Sequence, residues 1–97
     1  MILIHATMTI DSAKEALFLN EMATLLEASR AEQGNISYDL TKVTGKENEF
    51  KMIEVWEDLN AVSEHNSSAH FIAFSEKAKE FLIAPLQASV YDATQIK

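Results

Sequence analysis

The first ten residues alternate between two classes of side chain. One face of the predicted strand over residues 2–10 is apolar and would be dry, carrying Ile2, Ile4, Ala6, Met8 and Ile10. The other face is mixed and carries Leu3, His5, Thr7 and Thr9. The chain therefore starts with a strand that buries one face.

A helix is predicted over residues 13–32, where the spacing of apolar residues changes to three and four. The stripe consists of Phe18, Leu19, Met22, Leu25, Leu26 and Ser29. Ser12 followed by Glu15 predicts a capping box at its start, and Gly34 predicts its C-terminal stop.

Two β-rich runs follow, over 36–43 and 49–57, and the five residues between them predict a hairpin with a longer loop. In the second run, alternation places one row of side chains on a common face: Phe50, Met52, Glu54 and Trp56. Ile36, Tyr38 and Leu40 form a comparable row in the first run. Glu54 is unusual because it stands in an apolar row.

The last third of the chain predicts two helices and a strand. Asp58 can cap a short helix over 59–66, and Ser67 or Ser68 can cap a second helix. The second helix carries Phe71, Phe74, Ala78, Phe81 and Leu82 at helical spacing and ends at Pro85. A closing strand over 88–96 has Val90 and Tyr91 on opposite faces.

The order strand, helix, strand, strand, helix, strand predicts an α+β, ferredoxin-like βαββαβ fold, with both helices on one face of an antiparallel sheet. A chain of 97 residues supports one domain over 1–97. The uncovered sheet face is too apolar to remain exposed to solvent, which predicts a homodimer through that open face.

Charge and composition restrict the classes of partner that the protein can bind. Eight basic and fifteen acidic residues give a net charge of −7, which disfavours nucleic acid and anionic membrane surfaces. The absence of cysteine excludes disulfides and thiolate chemistry. With no basic leader region before the first strand and no apolar run of membrane-spanning length, a cytoplasmic location is expected.

The residues that suggest chemistry converge under the predicted helices. Glu54, Trp56 and Tyr38 share the covered face, and the spacing of Leu59, Val62 and His65 points the histidine to the same interior. A mostly apolar pocket with a few inward polar groups is typical of a small-molecule site.

Each of these residues also has a structural explanation. Trp56 would anchor the core, Glu54 would form a salt bridge or a hydrogen bond to a backbone amide, and His65 would bond a backbone carbonyl, Glu54 or Tyr38. His70 would pack on Phe74 one turn later, and His5 is assigned to the dimer face. The three histidines lack a paired spacing such as His-x-x-x-His, so no metal site is predicted.

Three segments carry a family resemblance: GNISYDL at 34–40, FKMIEVWED at 50–58 and HNSSAHF at 65–71. Together they resemble the antibiotic biosynthesis monooxygenase family, small quinol monooxygenases with a dimeric α+β barrel. The resemblance implies oxidation of electron-rich phenols or hydroquinones by O₂ without metal, haem or flavin. Haem degradation is disfavoured, because Ala6 and Ser75 stand where haem-degrading relatives have asparagine and a haem-ligating histidine.

The predicted function is therefore cofactor-independent monooxygenation of a small hydroquinone or polyphenol. The predicted catalytic residues are His65 and Glu54, and the predicted substrate-binding residues are Trp56, Tyr38, Met52, His70 and Phe74. Two alternatives stay open: an isomerase of a small carbonyl compound, and a non-catalytic dimer that binds a small ligand.

Overall fold

The computed structural model describes residues 1–97 and contains four strands and three α-helices. In chain order these are β1 (Ile2–Thr9), α1 (Glu15–Arg30), β2 (Asn35–Lys42), β3 (Glu49–Trp56), α2 (Leu59–Asn66), α3 (Ala69–Lys77) and β4 (Gln87–Asp92). The strands form one antiparallel sheet in the order β2-β3-β1-β4. The predicted ferredoxin-like α+β fold is confirmed.

Alternation along the two central strands sets the covered face of the sheet. In β1 every second residue from Ile2 is buried, and in β3 every second residue from Phe50 is buried. The register pairs Ala6 with Met52 on one side and with Ala88 on the other, so three strands present a continuous apolar surface to the helices. The predicted row in β3, including Glu54, is buried as a whole.

The start and end of α1 differ from the prediction. The Ser12–Glu15 capping box is wrong: the Asp11 side chain accepts from the backbone N–H of Ala13, and a single 3₁₀ turn over Ser12–Lys14 precedes the helix. Gly34 is not a left-handed helix stop, since only Gly45 has a positive φ. A Cβ atom on Gly34 would lie 2.3 Å from the Cβ of Ala61, so this glycine lets the start of β2 approach α2.

The hairpin of β2 and β3 forms as predicted, but one residue leaves its row. The register shifts between Asn35 and Ser37, and this bulge turns Ile36 outward, where it is exposed. Tyr38 remains buried and pairs with Glu54 across the hairpin.

The later elements also form, with altered ends. Asp58 caps α2 by accepting from the N–H of Ala61, and Ser68 rather than Ser67 caps α3. α3 ends at Lys77 and a 3₁₀ turn follows over Ala78–Glu80, so Phe81 lies beyond the helix and Pro85 does not end it. β4 is shorter than predicted and ends at Asp92.

The opposite face of the sheet carries half-buried side chains of β1 and β3, and Tyr91 of β4 lies there edge-on to His5 with ring centroids 6.0 Å apart. None of the helices has both the length and the apolar character needed to cross a membrane.

Candidate active site

A cavity of about 140 Å³ lies between the sheet and its helices. Thirteen of its sixteen lining residues are hydrophobic, so its few polar groups stand out. Five of the seven predicted site residues line it: Tyr38, Met52, Glu54, His65 and Phe74. The other two, Trp56 and His70, do not.

Glu54 and Trp56 form one unit on β3. Both face the helices because they are two residues apart on a strand, and the indole N–H of Trp56 donates to Glu54 Oε1 at 3.0 Å. Trp56 is fully buried, so its ring has no surface on the cavity and instead holds the carboxyl group that lines it. Burial raises the pKa of Glu54, an effect that the Trp56 hydrogen bond opposes and the nearby Glu32 strengthens.

His65 connects the cavity to a second carboxylate. Its Nε2 lies 3.3 Å from the Tyr38 hydroxyl and its Nδ1 lies 2.6 Å from Oε2 of Glu32. A carboxylate can only accept, so Nδ1 carries the proton and Nε2 accepts from Tyr38. Burial lowers the pKa of His65, although the hydrogen bond to Glu32 opposes this. The ring is thus a neutral base at pH 7.

Aromatic rings hold the imidazole of His65 in place. The ring centroid of Trp56 lies 4.6 Å away and that of Phe71 lies 4.9 Å away. Of the structural explanations considered for His65, the bond to Tyr38 is present, and it occurs together with the bond to Glu32.

Tyr38 presents a neutral hydroxyl to the cavity. Burial raises its pKa strongly, and the charge of Glu54, its partner across the hairpin, raises it further. The phenol therefore stays protonated and can accept one proton while it donates another.

Glu32 and His70 complete the cluster, and Glu32 is not among the residues predicted from the sequence. Glu32 Oε2 also lies 2.9 Å from His70 Nε2, so one carboxylate oxygen accepts from two imidazoles. A signal was present, because Glu32 continues the three-and-four spacing of the buried stripe Phe18, Met22, Leu25 and Ser29 beyond the end of α1.

Glu32, His65 and His70 are also the donor set that could bind a metal ion, with ligand atoms within 4.8 Å of one another. The spacing argument against a metal site was thus incomplete, since His65 and His70 converge without a His-x-x-x-His spacing. Two ligand atoms held at roughly 2.0 to 2.2 Å from one tetrahedral zinc ion would lie about 3.3 to 3.6 Å from each other. The 2.6 and 2.9 Å separations here are hydrogen-bond lengths, so these groups already satisfy one another.

The end of the cavity formed by β2, β3 and α2, its closed end, therefore combines one hydroxyl, one carboxyl group of raised pKa and one neutral imidazole. The exposed Asn66 at the end of α2 is the other polar residue of an otherwise apolar lining. Such a set can bind a hydroxylated ring and move its protons while excluding water.

Comparison with known proteins identifies the family. The family model described as "Antibiotic biosynthesis monooxygenase" matches residues 1–77. The Bacillus subtilis protein described as "Putative monooxygenase YcnE" is 45% identical over 86 residues, which are 89% of this chain and 90% of that protein.

Solved structures share the fold. PA3566 from Pseudomonas aeruginosa is 28% identical, with a TM-score of 0.87 over 97% of this chain and 94% of that one. Rv0793 from Mycobacterium tuberculosis is 21% identical, with a TM-score of 0.90 over 97% and 95%. With a family model covering more than three quarters of its length and this close relative, the chain belongs to the antibiotic biosynthesis monooxygenase family.

Proposed function

We propose that the protein is a monooxygenase that oxidises a small hydroquinone or polyphenol with O₂ in the cavity between the sheet and the helices. The observation that carries this proposal is the presence of both a neutral imidazole and a raised-pKa carboxyl group at the closed end of an apolar cavity. Family membership supports the reaction class.

The cavity size favours one aromatic ring. An engineered apolar cavity of about 150 Å³ binds benzene, and the cavity here is close to that volume at about 140 Å³. A second ring or a side chain of the substrate would extend past β4, whose exposed Ala88 and Val90 form part of the wall.

Proton removal begins the reaction. Tyr38 accepts a substrate hydroxyl proton while its own proton passes to His65 Nε2, so no tyrosinate accumulates. Glu54 accepts a hydrogen bond from a second hydroxyl. A hydroquinone anion is a much stronger reductant than the neutral phenol, so the substrate itself then supplies an electron to O₂.

The remaining steps balance without an added reductant. The semiquinone and superoxide combine at a ring carbon to form a peroxide, His65 returns its proton through Tyr38, and the O–O bond breaks. The ring carbon loses its hydrogen as a proton and water leaves. One hydroquinone and one O₂ thus give one hydroxyquinone and one water. Apolar walls limit the escape of reactive intermediates.

Oxygen uptake by chelator-treated protein tests the proposal. We expect benzo- and naphthohydroquinones to consume O₂ well above their autoxidation rate, and His65→Gln to lower kcat by about 10²-fold. Thermal unfolding of the variant checks that it is folded. Uptake equal to autoxidation for every substrate would refute oxidative chemistry.

The isomerase alternative uses the same two groups, because a raised-pKa carboxyl group and a neutral imidazole that line one cavity can also move a proton next to a carbonyl. Deuterium incorporation from D₂O into a small carbonyl compound, without O₂ consumption, would favour it. If neither reaction occurs and small phenols still bind, the non-catalytic ligand-binding function is favoured.

We also propose that two copies pair through the open sheet face. Its half-buried apolar residues, among them Leu3, Ile53 and Val55, support a self-complementary contact. Light scattering should give twice the 10.9 kDa chain mass, and Val55→Glu should shift the protein to monomer. A monomeric wild type would exclude the dimer.

A further inference from the structure

We propose that Glu32 is the positioning residue of the acid–base group: it fixes the ring tautomer of His65, and His70 holds Glu32 in place for this task. This role rests on the proposed function for its effect on turnover, but its structural part can be measured without substrate.

The tautomer follows from the two contacts of the His65 ring. Nδ1–H donates to Glu32 at 2.6 Å, which leaves the Nε2 lone pair facing the Tyr38 hydroxyl at 3.3 Å. With the opposite tautomer, Nε2–H would point at Tyr38 and the ring could not accept its proton. Only the first tautomer is a base toward the cavity.

Packing alone does not select that tautomer. Trp56 and Phe71 fix the position of the His65 ring, and neither side chain offers a polar atom to the ring nitrogens. The ring would therefore stay in place without Glu32 while its proton could sit on either nitrogen. This separates the role of Glu32 from that of the aromatic neighbours.

The charge of Glu32 adds a second effect. When His65 holds the substrate proton it is an imidazolium, and the adjacent carboxylate stabilises that cation through a charge-assisted hydrogen bond. Glutamine at this position keeps an acceptor but loses the charge, whereas alanine loses both. The two substitutions separate orientation from charge.

His70 restrains the carboxylate from the solvent side. Glu32 follows the end of α1 in a short connection and its side chain is 18% exposed, so a second partner restricts its rotamers further. His70 donates to the same oxygen as His65, at 2.9 Å. The carboxylate thus links the end of α1 to both α2 and α3.

The break between α2 and α3 makes this convergence possible. In one continuous helix, residues five apart would point about 140° away from each other. The Ser68 hydroxyl donates to the His65 carbonyl at 2.6 Å and accepts from the Phe71 N–H at 3.2 Å, which ends one helix and starts the next. Both rings then reach one carboxylate.

Nitrogen NMR of the imidazoles provides the test, since the chain has only three histidines to assign. In chelator-treated wild type we expect His65 to be protonated at Nδ1 only. Glu32→Ala should give a mixture of tautomers, while Glu32→Gln should keep the Nδ1–H tautomer. His70→Gln should give a smaller change than Glu32→Ala.

Turnover should follow the same order. We expect kcat to fall by about 10²-fold in Glu32→Ala and by about 10-fold in Glu32→Gln, with KM changed less than about 3-fold in both. The matched controls are Glu27→Ala and Glu27→Gln, which make the same changes at an exposed position of α1 and should leave tautomer and kcat unchanged.

The outcomes distinguish the two proposals. Wild-type protein without oxygen uptake but with the tautomer change in Glu32→Ala would refute the proposed function and support the positioning role. Normal kcat and an unchanged His65 tautomer in Glu32→Ala would overturn the positioning role. Stoichiometric perturbation of His65 and His70 by added Zn²⁺, lost in Glu32→Ala, would overturn it in favour of a metal site.

Discussion

The two ends of the cavity differ in almost every property. At the end formed by β2, β3 and α2, Tyr38, Glu54 and His65 are 2%, 6% and 2% exposed. At the end formed by β4, Leu86 and Val90 are 43% and 55% exposed, and every residue of the strand is solvent-accessible.

The ionisable groups of the cavity lie where helices close over the sheet, whereas its other polar residue, Asn66, is exposed at the end of α2. At the closed end, low solvent access shifts the pKa values of the ionisable groups. The end formed by β4 carries apolar residues, which have no pKa to shift. Under the proposed function, the two ends therefore have different roles: the closed end determines the chemistry, and the open end determines which substrates enter.

The largest effect should come from the hydroxyl at the closed end. Tyr38→Phe keeps the ring but removes the relay between substrate and His65, so we expect kcat to fall by about 10²-fold in oxygen-uptake assays. It also leaves His65 Nε2 without a partner, at a cost of about 1 to 3 kcal/mol in the free energy of unfolding. Unchanged kcat would remove Tyr38 from the proton path.

The second largest effect should come from a substitution where the backbone of β2 approaches α2. Gly34→Ala places a methyl group against Ala61 of α2, and overpacking of this kind costs about 1 to 3 kcal/mol. Because α2 carries His65, kcat should fall as well. Gly45→Ala is the control: it strains a residue at φ 85° for about 1 to 2 kcal/mol, far from the cavity, and should leave kcat unchanged. Denaturant unfolding and kcat separate the two variants.

Glu54→Gln should make the closed end more stable while reducing turnover. The folded-state pKa of Glu54 lies above its unfolded value, so stability falls as pH rises through the interval between them, and the cost is complete above the folded pKa. Glutamine carries no charge and keeps an acceptor for Trp56, so the variant should have a larger free energy of unfolding than wild type at pH 7.

That gain should vanish at pH values below the unfolded pKa of glutamate, near 4.3. Urea unfolding at several pH values measures it, with the exposed Glu57→Gln as the control that should show no gain. Equal stability of Glu54→Gln and wild type at pH 7 would contradict the burial of a charged Glu54.

The smallest effects should come from the open end. Val90→Ala enlarges the mouth, so we expect KM to change by a few-fold for substrates longer than one ring, with stability altered by less than about 0.5 kcal/mol. Ser89→Ala, on the opposite face of the same strand, should change neither. A large fall in kcat for Val90→Ala would contradict the division between the two ends.

Sequence patterns predicted the parts of this molecule that depend on short-range periodicity. The buried row of β3 follows from alternation, and the start of α2 follows from the Asp58 cap, because both are decided within a few residues. The order of the elements predicted the fold, and the resemblance of three segments added the expected family.

The burial depth of single side chains and the contacts between distant segments could not be predicted from local patterns. Alternation placed Trp56 on the covered face. It could not indicate that Trp56 bonds Glu54 without lining the cavity, or that a bulge turns Ile36 outward. The pairing of Glu32 with His65 spans 33 residues and depends on how α1 and α2 pack, which no local pattern specifies.

The Ser68 turn between α2 and α3 also limits which changes in chain length the fold can accept. One residue inserted into α3 between Ser68 and His70 would rotate His70 by about 100° around the helix axis and away from Glu32, while His65 stayed in place. The hairpin loop over 44–47 has no such constraint, because it lines no part of the cavity and precedes Asn48, which is hydrogen-bonded to Ile10. Homologues that retain the two-histidine arrangement should therefore vary freely in length at the hairpin and keep this turn at constant length.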